Sequence, residues 1–249
     1  MNNIAVEKEA ISFRQKNGMG ANDPIRLKSM LTNLDVITVY KPLGADFSGM
    51  ALKVQNGDNF TRFMLINSNH SLGKQHFTIS HELYHLFIQK DFNSMVCQTG
   101  RFDKKDKEEF NADYFAAVLL LPESGIKALI PDNELNKDKI TLKTVLKIEH
   151  YYSCSRAALL YRLIELGIIT KSFSESFRTN IKYGALQHGY NTSLYSEGNK
   201  NLVLGNYGEL AYELYENEKI SESYYYTLLK DLGLTEQELQ IIINGEEER

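Results

Sequence analysis

His81-Glu82-Leu83-Tyr84-His85, preceded by Lys74-Gln75-His76-Phe77-Thr78-Ile79-Ser80 and followed by Leu86-Phe87-Ile88, decides how this chain is read. The run holds no proline, and Phe77, Leu83, Leu86 and Phe87 are placed to face a core. It predicts a helix from about Gly73 to Lys90. Residues four apart share a helical face, so His81 and His85 can bind one tetrahedral ion while Glu82 stands beside the open position and its water. An HExxH in that setting points to a zinc-dependent peptidase. The competing reading keeps the helix and leaves the histidines and Glu82 as ordinary polar groups on a solvated face.

Two imidazoles do not complete a catalytic zinc site, which takes a third protein ligand and keeps the fourth position for water or substrate. The stretch Asp106-Lys107-Glu108-Glu109-Phe110-Asn111-Ala112-Asp113-Tyr114-Phe115-Ala116-Ala117 repeats apolar positions with helical spacing until Pro122 stops it, and Asp106 with Glu109 resembles a helix start. Glu109 and Asp113 lie one turn apart. If the first points at the metal, the second can accept the spare ring N–H of a metal-binding histidine. Alternatively, Asp106, Glu108, Glu109 and Asp113 form a solvated acidic face near a helix N-terminus, where negative charge is favourable. Spacing alone does not choose.

These residues resemble the ImmA/IrrE family of metallopeptidases. Phe77-Thr78-Ile79-Ser80-His81-Glu82 matches the family's zinc helix, and Glu109-Phe110-Asn111-Ala112-Asp113-Tyr114-Phe115-Ala116-Ala117-Val118-Leu119-Leu120-Leu121-Pro122 its second helix. Phe47 to Ala51 and Phe63 to Asn67 are similar to the strands before the zinc helix, and Ser155 to Leu163 to a later helix, so the likeness runs from roughly residue 10 to 170. The resemblance implies Zn2+ held by His81, His85 and Glu109, with Glu82 as the catalytic carboxylate and Asp113 behind a ligand. Glu108 is the rival one residue out of register. It also implies limited proteolysis of a separately encoded helix-turn-helix repressor or antitoxin, in phage, mobile-element or toxin–antitoxin regulation.

The expected fold is α+β: a zincin-like peptidase core with a small sheet and the HExxH helix over residues 1–170, then a linker and small helical C-terminal region over 171–249. Helices are expected at Ile4 to Lys16 and Ile25 to Leu34, a strand at Val36 to Tyr40, and paired strands at Phe47 to Val54 and Phe60 to Asn67 around the turn-forming Gln55-Asn56-Gly57-Asp58. Thr141 to His150 and Ser155 to Leu166 outline a helix-turn-helix-like pair within 141–167, read as a packing unit because Arg156 and Arg162 are the only basic residues on its second helix. Lys171 to Lys200 reads as irregular or linker. Three short helices follow, with Tyr224, Tyr225, Tyr226, Leu228 and Leu229 as a core stripe and Glu246 to Arg249 as a frayed tail.

With 249 residues, 43% of them hydrophobic, the chain can bury a real core, and a net charge of -4 argues against sequence-independent nucleic-acid binding. No leader and no bilayer-length apolar run are read, so a cytoplasmic location without membrane contact is expected. Cys97 and Cys154 have no metal or disulfide spacing and are assigned no role.

Within the peptidase reading, Glu82 takes a proton from water and later gives one to the leaving amine. Tyr84, His150, Tyr151 and Tyr152 are chemically able to steady the oxyanion or meet substrate, and Arg162 could pair with a carboxylate or substrate or be a structural surface arginine. Two rivals remain at this level. One is a non-proteolytic regulator that binds a transcription factor or DNA with zinc in a structural role; the other is a metal hydrolase of non-peptide amides.

Overall fold

The computed structural model describes residues 3–56, 59–90, 92, 94–97, 99–100 and 106–247. Helices α1 (Asn3–Lys16) and α2 (Leu27–Asn33) lead to β1 (Val36–Lys41), β2 (Gly49–Asn56) and β3 (Asn59–Asn67), then to α3 (Leu72–Phe87), β4 (Ser94–Cys97), α4 (Lys107–Leu120) and α5 (Glu123–Leu129). Next come α6 (Leu142–Tyr152), α7 (Arg156–Glu165), α8 (Lys171–Ser174), α9 (Ile181–Gln187), β5 (Val203–Leu204), α10 (Tyr207–Glu216), α11 (Glu222–Asp231) and α12 (Glu236–Glu247). The architecture is mixed α+β.

The strands form one sheet in the order β4-β2-β3-β1-β5. β1 runs parallel to β3, while the β2–β3, β2–β4 and β1–β5 pairs are antiparallel. Val36, Ile37, Thr38, Val39 and Tyr40 are all buried, which is why β1 reads as a continuous apolar run instead of an alternating one. Gly57 and Asp58, the expected hairpin turn, lie outside the described residues, but Asn56 faces Asn59 across the ladder. Asn67, fully buried, organises the chain before β2: its Nδ2 donates to the carbonyls of Leu43, Gly44 and Phe47, and its Oδ1 accepts from the Leu43 and Asn69 amides.

Helix α4 is apolar on nearly every side because neighbours cover it all round. Phe110, Ala112 and every residue from Tyr114 to Leu121 are buried. Phe13 of α1 meets Phe115 edge-on at 5.8 Å and Phe87 of α3 at 5.7 Å. The last carbonyls of α4 have no helical donors, and two buried cations supply them: Arg14 Nη1 donates to Leu119 O at 2.6 Å and Arg162 Nε to Leu121 O at 3.1 Å. Arg162 is structural, as one reading of the sequence had it, but it is buried, not at the surface.

The stretch expected as linker is built into this body. Phe177 joins the main core, β5 extends the sheet beside β1, and Gln75 of α3 donates to Gly198 O while accepting from Asn199 Nδ2. Helices α10 to α12 centre on a separate small cluster of Ala211, Tyr225, Leu229 and Leu239, in which Tyr215 stacks on Tyr225 at 4.9 Å. The expected tyrosine stripe is only partly core, since Tyr224 is 54% exposed. The helix runs to Glu247, into the stretch Glu246 to Arg249 expected as a frayed tail, of which Glu248 and Arg249 lie outside the described residues. Among the described residues, no helix is long and apolar enough to cross a membrane.

Candidate metal centre

Helix α3 begins after Ser71 and carries His81, Glu82 and His85 on a stretch buried between the sheet and α4. Helix α4 begins after Asp106, whose carboxylate caps the Glu108 and Glu109 amides, and this start sets which side of the next turn faces α3. Glu109 is the residue that arrives. His81 Nε2 lies 3.1 Å from His85 Nε2 and 3.4 Å from Glu109 Oε2, and His85 Nε2 lies 3.3 Å from Glu109 Oε1. Donors about 2.0 to 2.1 Å from one tetrahedral zinc stand roughly 3.3 to 3.4 Å apart, so the spacing fits a single ion. Glu108 points elsewhere: it accepts the Tyr84 hydroxyl at 2.8 Å.

The far sides of the two rings fix their tautomers. His81 Nδ1 lies 2.9 Å from Asp113 Oδ1, and His85 Nδ1 lies 2.5 Å from the Gln89 side-chain oxygen. Both partners are acceptors, so each Nδ1 carries the proton and each Nε2 turns a lone pair inward. Two inward lone pairs at 3.1 Å repel unless a cation lies between them, either a metal or a proton. In the absence of metal, burial pulls His81 down, but hydrogen bonds to Asp113 and Glu109 overcome it and hold the imidazole at about 10. Burial likewise pushes Glu109 up, and the two histidines more than reverse it, leaving it far below the usual carboxylate range. The pocket is charged and poised for a cation. Among the described residues, these three form the metal-competent group of His, Cys, Asp and Glu, with no fourth such side chain.

Glu82 is completely buried and close enough for its charge to raise His81. Its carboxylate lies against the start of β2. A Cβ on Gly49 would stand 2.9 Å from Glu82 Oε1 and 2.6 Å from Thr78 Cγ2, so only glycine lets the strand pass this close. Asp113 is held in turn by the Gly100 amide, which donates to the same Oδ1 at 2.8 Å, while Thr99 and Thr78 share a hydroxyl contact at 3.0 Å. Gly100 adopts a φ of 81°, a conformation that favours glycine.

Of the other residues singled out in the sequence, Tyr84 packs edge-on against the His85 ring at 5.6 Å. Tyr84, a candidate for oxyanion or substrate contact, is 5% exposed and its hydroxyl donates to Glu108 at 2.8 Å. Tyr152 is likewise committed, donating to Asn22 O at 2.8 Å, and exposed Tyr151 packs edge-on against it. His150 stacks on Tyr190 and contacts the Tyr195 hydroxyl at 3.1 Å. Arg162 is taken up by Leu121 O and Glu165, and Arg156 by Glu149 and Phe177 O, so neither basic residue of α7 is presented to solvent. Cys154 is buried, with its thiol pushed up by desolvation. The Cys97 side chain lies outside the described residues.

Gln89, Gly49 and Gly100 were missed. Gln89 had a signal, one turn beyond His85 at the same spacing that joins His85 to His81. Gly49 and Gly100 had none, because their roles depend on contacts between segments far apart in sequence.

Two buried histidines and a partly exposed glutamate on two crossing helices, with a carboxylate next to the first histidine, define a candidate metallohydrolase centre. The chain matches the IrrE N-terminal-like peptidase domain over residues 34–164, just over half of its length, and so belongs to the ImmA/IrrE family of metallopeptidases. It is 34% identical over 83 residues to Metallopeptidase ImmA of Bacillus subtilis (strain 168), an alignment covering 33% of this chain and 49% of that relative.

Proposed function

We propose that this chain is a zinc-dependent endopeptidase that cuts a partner protein at few positions, the partner being a separately encoded helix-turn-helix repressor or antitoxin in the cytoplasm. The observation that carries the peptidase reading is the pair of inward Nε2 lone pairs at 3.1 Å with both Glu109 oxygens closing the set. His81, His85 and Glu109 hold the ion; Asp113 and Gln89 orient the rings. A bound zinc supplies Lewis acidity, which acidifies water and polarises a carbonyl. Glu82 accepts the water's proton and returns one to the leaving amine. Glu109, 21% exposed at its side chain while the histidines are sealed, marks the side from which substrate enters.

Strand β4 ends the sheet and leads through Thr99 and Gly100 to Asp113, so its outer edge offers main-chain hydrogen bonds to an extended peptide beside the metal centre. A structural zinc site would normally bring a fourth protein ligand, and the described residues offer none. Membership of a peptidase family supports a peptide over another amide. The choice of a repressor or antitoxin as partner rests on the family resemblance.

The test is mass-spectrometric mapping of new N-termini in a cell lysate after treatment with the zinc-loaded protein, with its Glu82→Gln variant as control. A small set of cuts made by the wild type alone supports the proposal, with DNA-binding repressors or antitoxins among the targets. Equal cutting by both proteins, or by neither, overturns the peptidase reading; cuts confined to other proteins overturn the partner.

A further inference from the structure

Beside the metal centre lies a cavity of about 630 Å³ that the reaction chemistry does not use. Its inner wall includes Phe77, one turn before His81 on α3, and Gly100, whose amide holds Asp113. The wall is therefore continuous with the residues that position the metal ligands. Tyr161 of α7 and Ile181 of α9, in the segment whose role was unread in the sequence, also line it. Lys74, Arg178 and Lys182 stand along it, and no carboxylate is among its described lining residues.

Burial and pairing show which cations are available. Arg156 also touches the cavity, but it is buried and bound to Glu149 and Phe177 O, so it serves the fold. Arg178 is exposed and held by a surface pair with Glu175, which contributes little in water. Lys182 is exposed and has no ion pair among the described residues. A cavity with aromatic and aliphatic walls and a rim in which Lys182 adds to the weakly paired Arg178 complements a ligand with an apolar body and negative charge close to it.

We infer that this cavity is a substrate subsite, taking a large apolar side chain of an extended peptide and setting an acidic side chain, one or two residues further along, against Arg178 and Lys182. The inference rests on the peptidase reading for its meaning, yet it can be tested by binding alone. Residues 171–195 then have a function: they supply part of the lining and the two cations Arg178 and Lys182.

The test uses fluorescence anisotropy on the zinc-loaded Glu82→Gln protein with three short fluorescein-labelled peptides: one with phenylalanine followed by two aspartates, one with the phenylalanine changed to alanine, and one with the aspartates changed to lysines. The first should bind about tenfold tighter than either of the others. Reversing Arg178 and Lys182 together to glutamate, both exposed and free of any part in the metal centre, should weaken the acidic peptide by about tenfold and favour the lysine peptide. Ala157→Trp, at an exposed position on the cavity wall, should remove the preference for phenylalanine. Similar affinities for the three peptides, binding too weak to measure for all of them, or a double reversal that leaves the acidic peptide within about twofold, each overturn the inference. Because this protein does not cut, loss of the peptidase reading would appear in the lysate experiment and leave these affinities untouched.

Discussion

Asp113→Ala is the change whose effect can be worked furthest from the structure. Asp113 is 2% exposed, and its Oδ1 accepts from His81 Nδ1 at 2.9 Å and from the Gly100 amide at 2.8 Å. Truncation leaves the buried His81 Nδ1–H and the partly buried Gly100 amide without their acceptor, removes the charge that favours a cation at His81, and frees the imidazole to rotate. A hydrogen bond to a charged group contributes about 1.5 to 3 kcal/mol, and partners behind metal-bound histidines are worth roughly 10- to 100-fold in metal affinity. That range corresponds to about 1.4 to 2.7 kcal/mol, so the two scales agree. Zinc affinity should therefore fall by about 10- to 100-fold in competition against a chromogenic chelator at neutral pH. Asp113→Asn keeps an oxygen for the Nδ1–H but loses the charge, and should fall between the two. Circular dichroism identifies any loss of fold. A folded Asp113→Ala protein that binds zinc within about twofold of wild type would refute the claim that this carboxylate orients and charges the site.

Three further outcomes follow from the same geometry. Glu82→Gln should retain zinc and lose all cleavage of whichever target the N-terminal mapping finds; metal loss in this variant would mean that Glu82 has a structural part. In Gly49→Ala, the new methyl must retreat by roughly 0.8 Å from Thr78 to reach ordinary contact near 3.4 Å, displacing β2 or Glu82. It should cut cleavage by about 10- to 100-fold with zinc still bound, at a stability cost of about 1 to 3 kcal/mol, and wild-type rates would show that the strand does not press on Glu82. In metal-free protein His81 is held at about 10, above its ordinary 6.5, so its contribution is full below 6.5 and is lost as pH rises through 10. The melting temperature of chelator-treated protein should fall across that window while the zinc-loaded protein stays nearly level; parallel curves would contradict the linkage.

The parts legible in the sequence are those encoded by a short period. HExxH places its residues on one turn of helix, the Asp106 cap and apolar run announce α4, and the β1 to β3 strands appear as apolar stretches broken by turn residues. The metal ligand set came from spacing together with family likeness, and the choice of Glu109 over Glu108 needed the crossing of α3 and α4. Other features were not legible because they are non-local. β4 is a strand only because it pairs with β2, and β5 only because it reaches β1. Arg162 and Arg14 look like surface arginines in one dimension and are buried because the end of α4 lacks donors. The irregular composition of residues 171–200 hid short helices whose order comes from packing against the core rather than from their own periodicity.

The most direct test of the central claim is zinc content after dialysis against a weak chelator, measured by elemental analysis for wild type, Glu109→Gln and Glu108→Gln. The account predicts one zinc per chain in the wild type and in Glu108→Gln, whose side chain meets Tyr84 rather than the centre, and loss of the metal from Glu109→Gln. Zinc retained by Glu109→Gln and lost from Glu108→Gln, or a wild type that binds none, would contradict it.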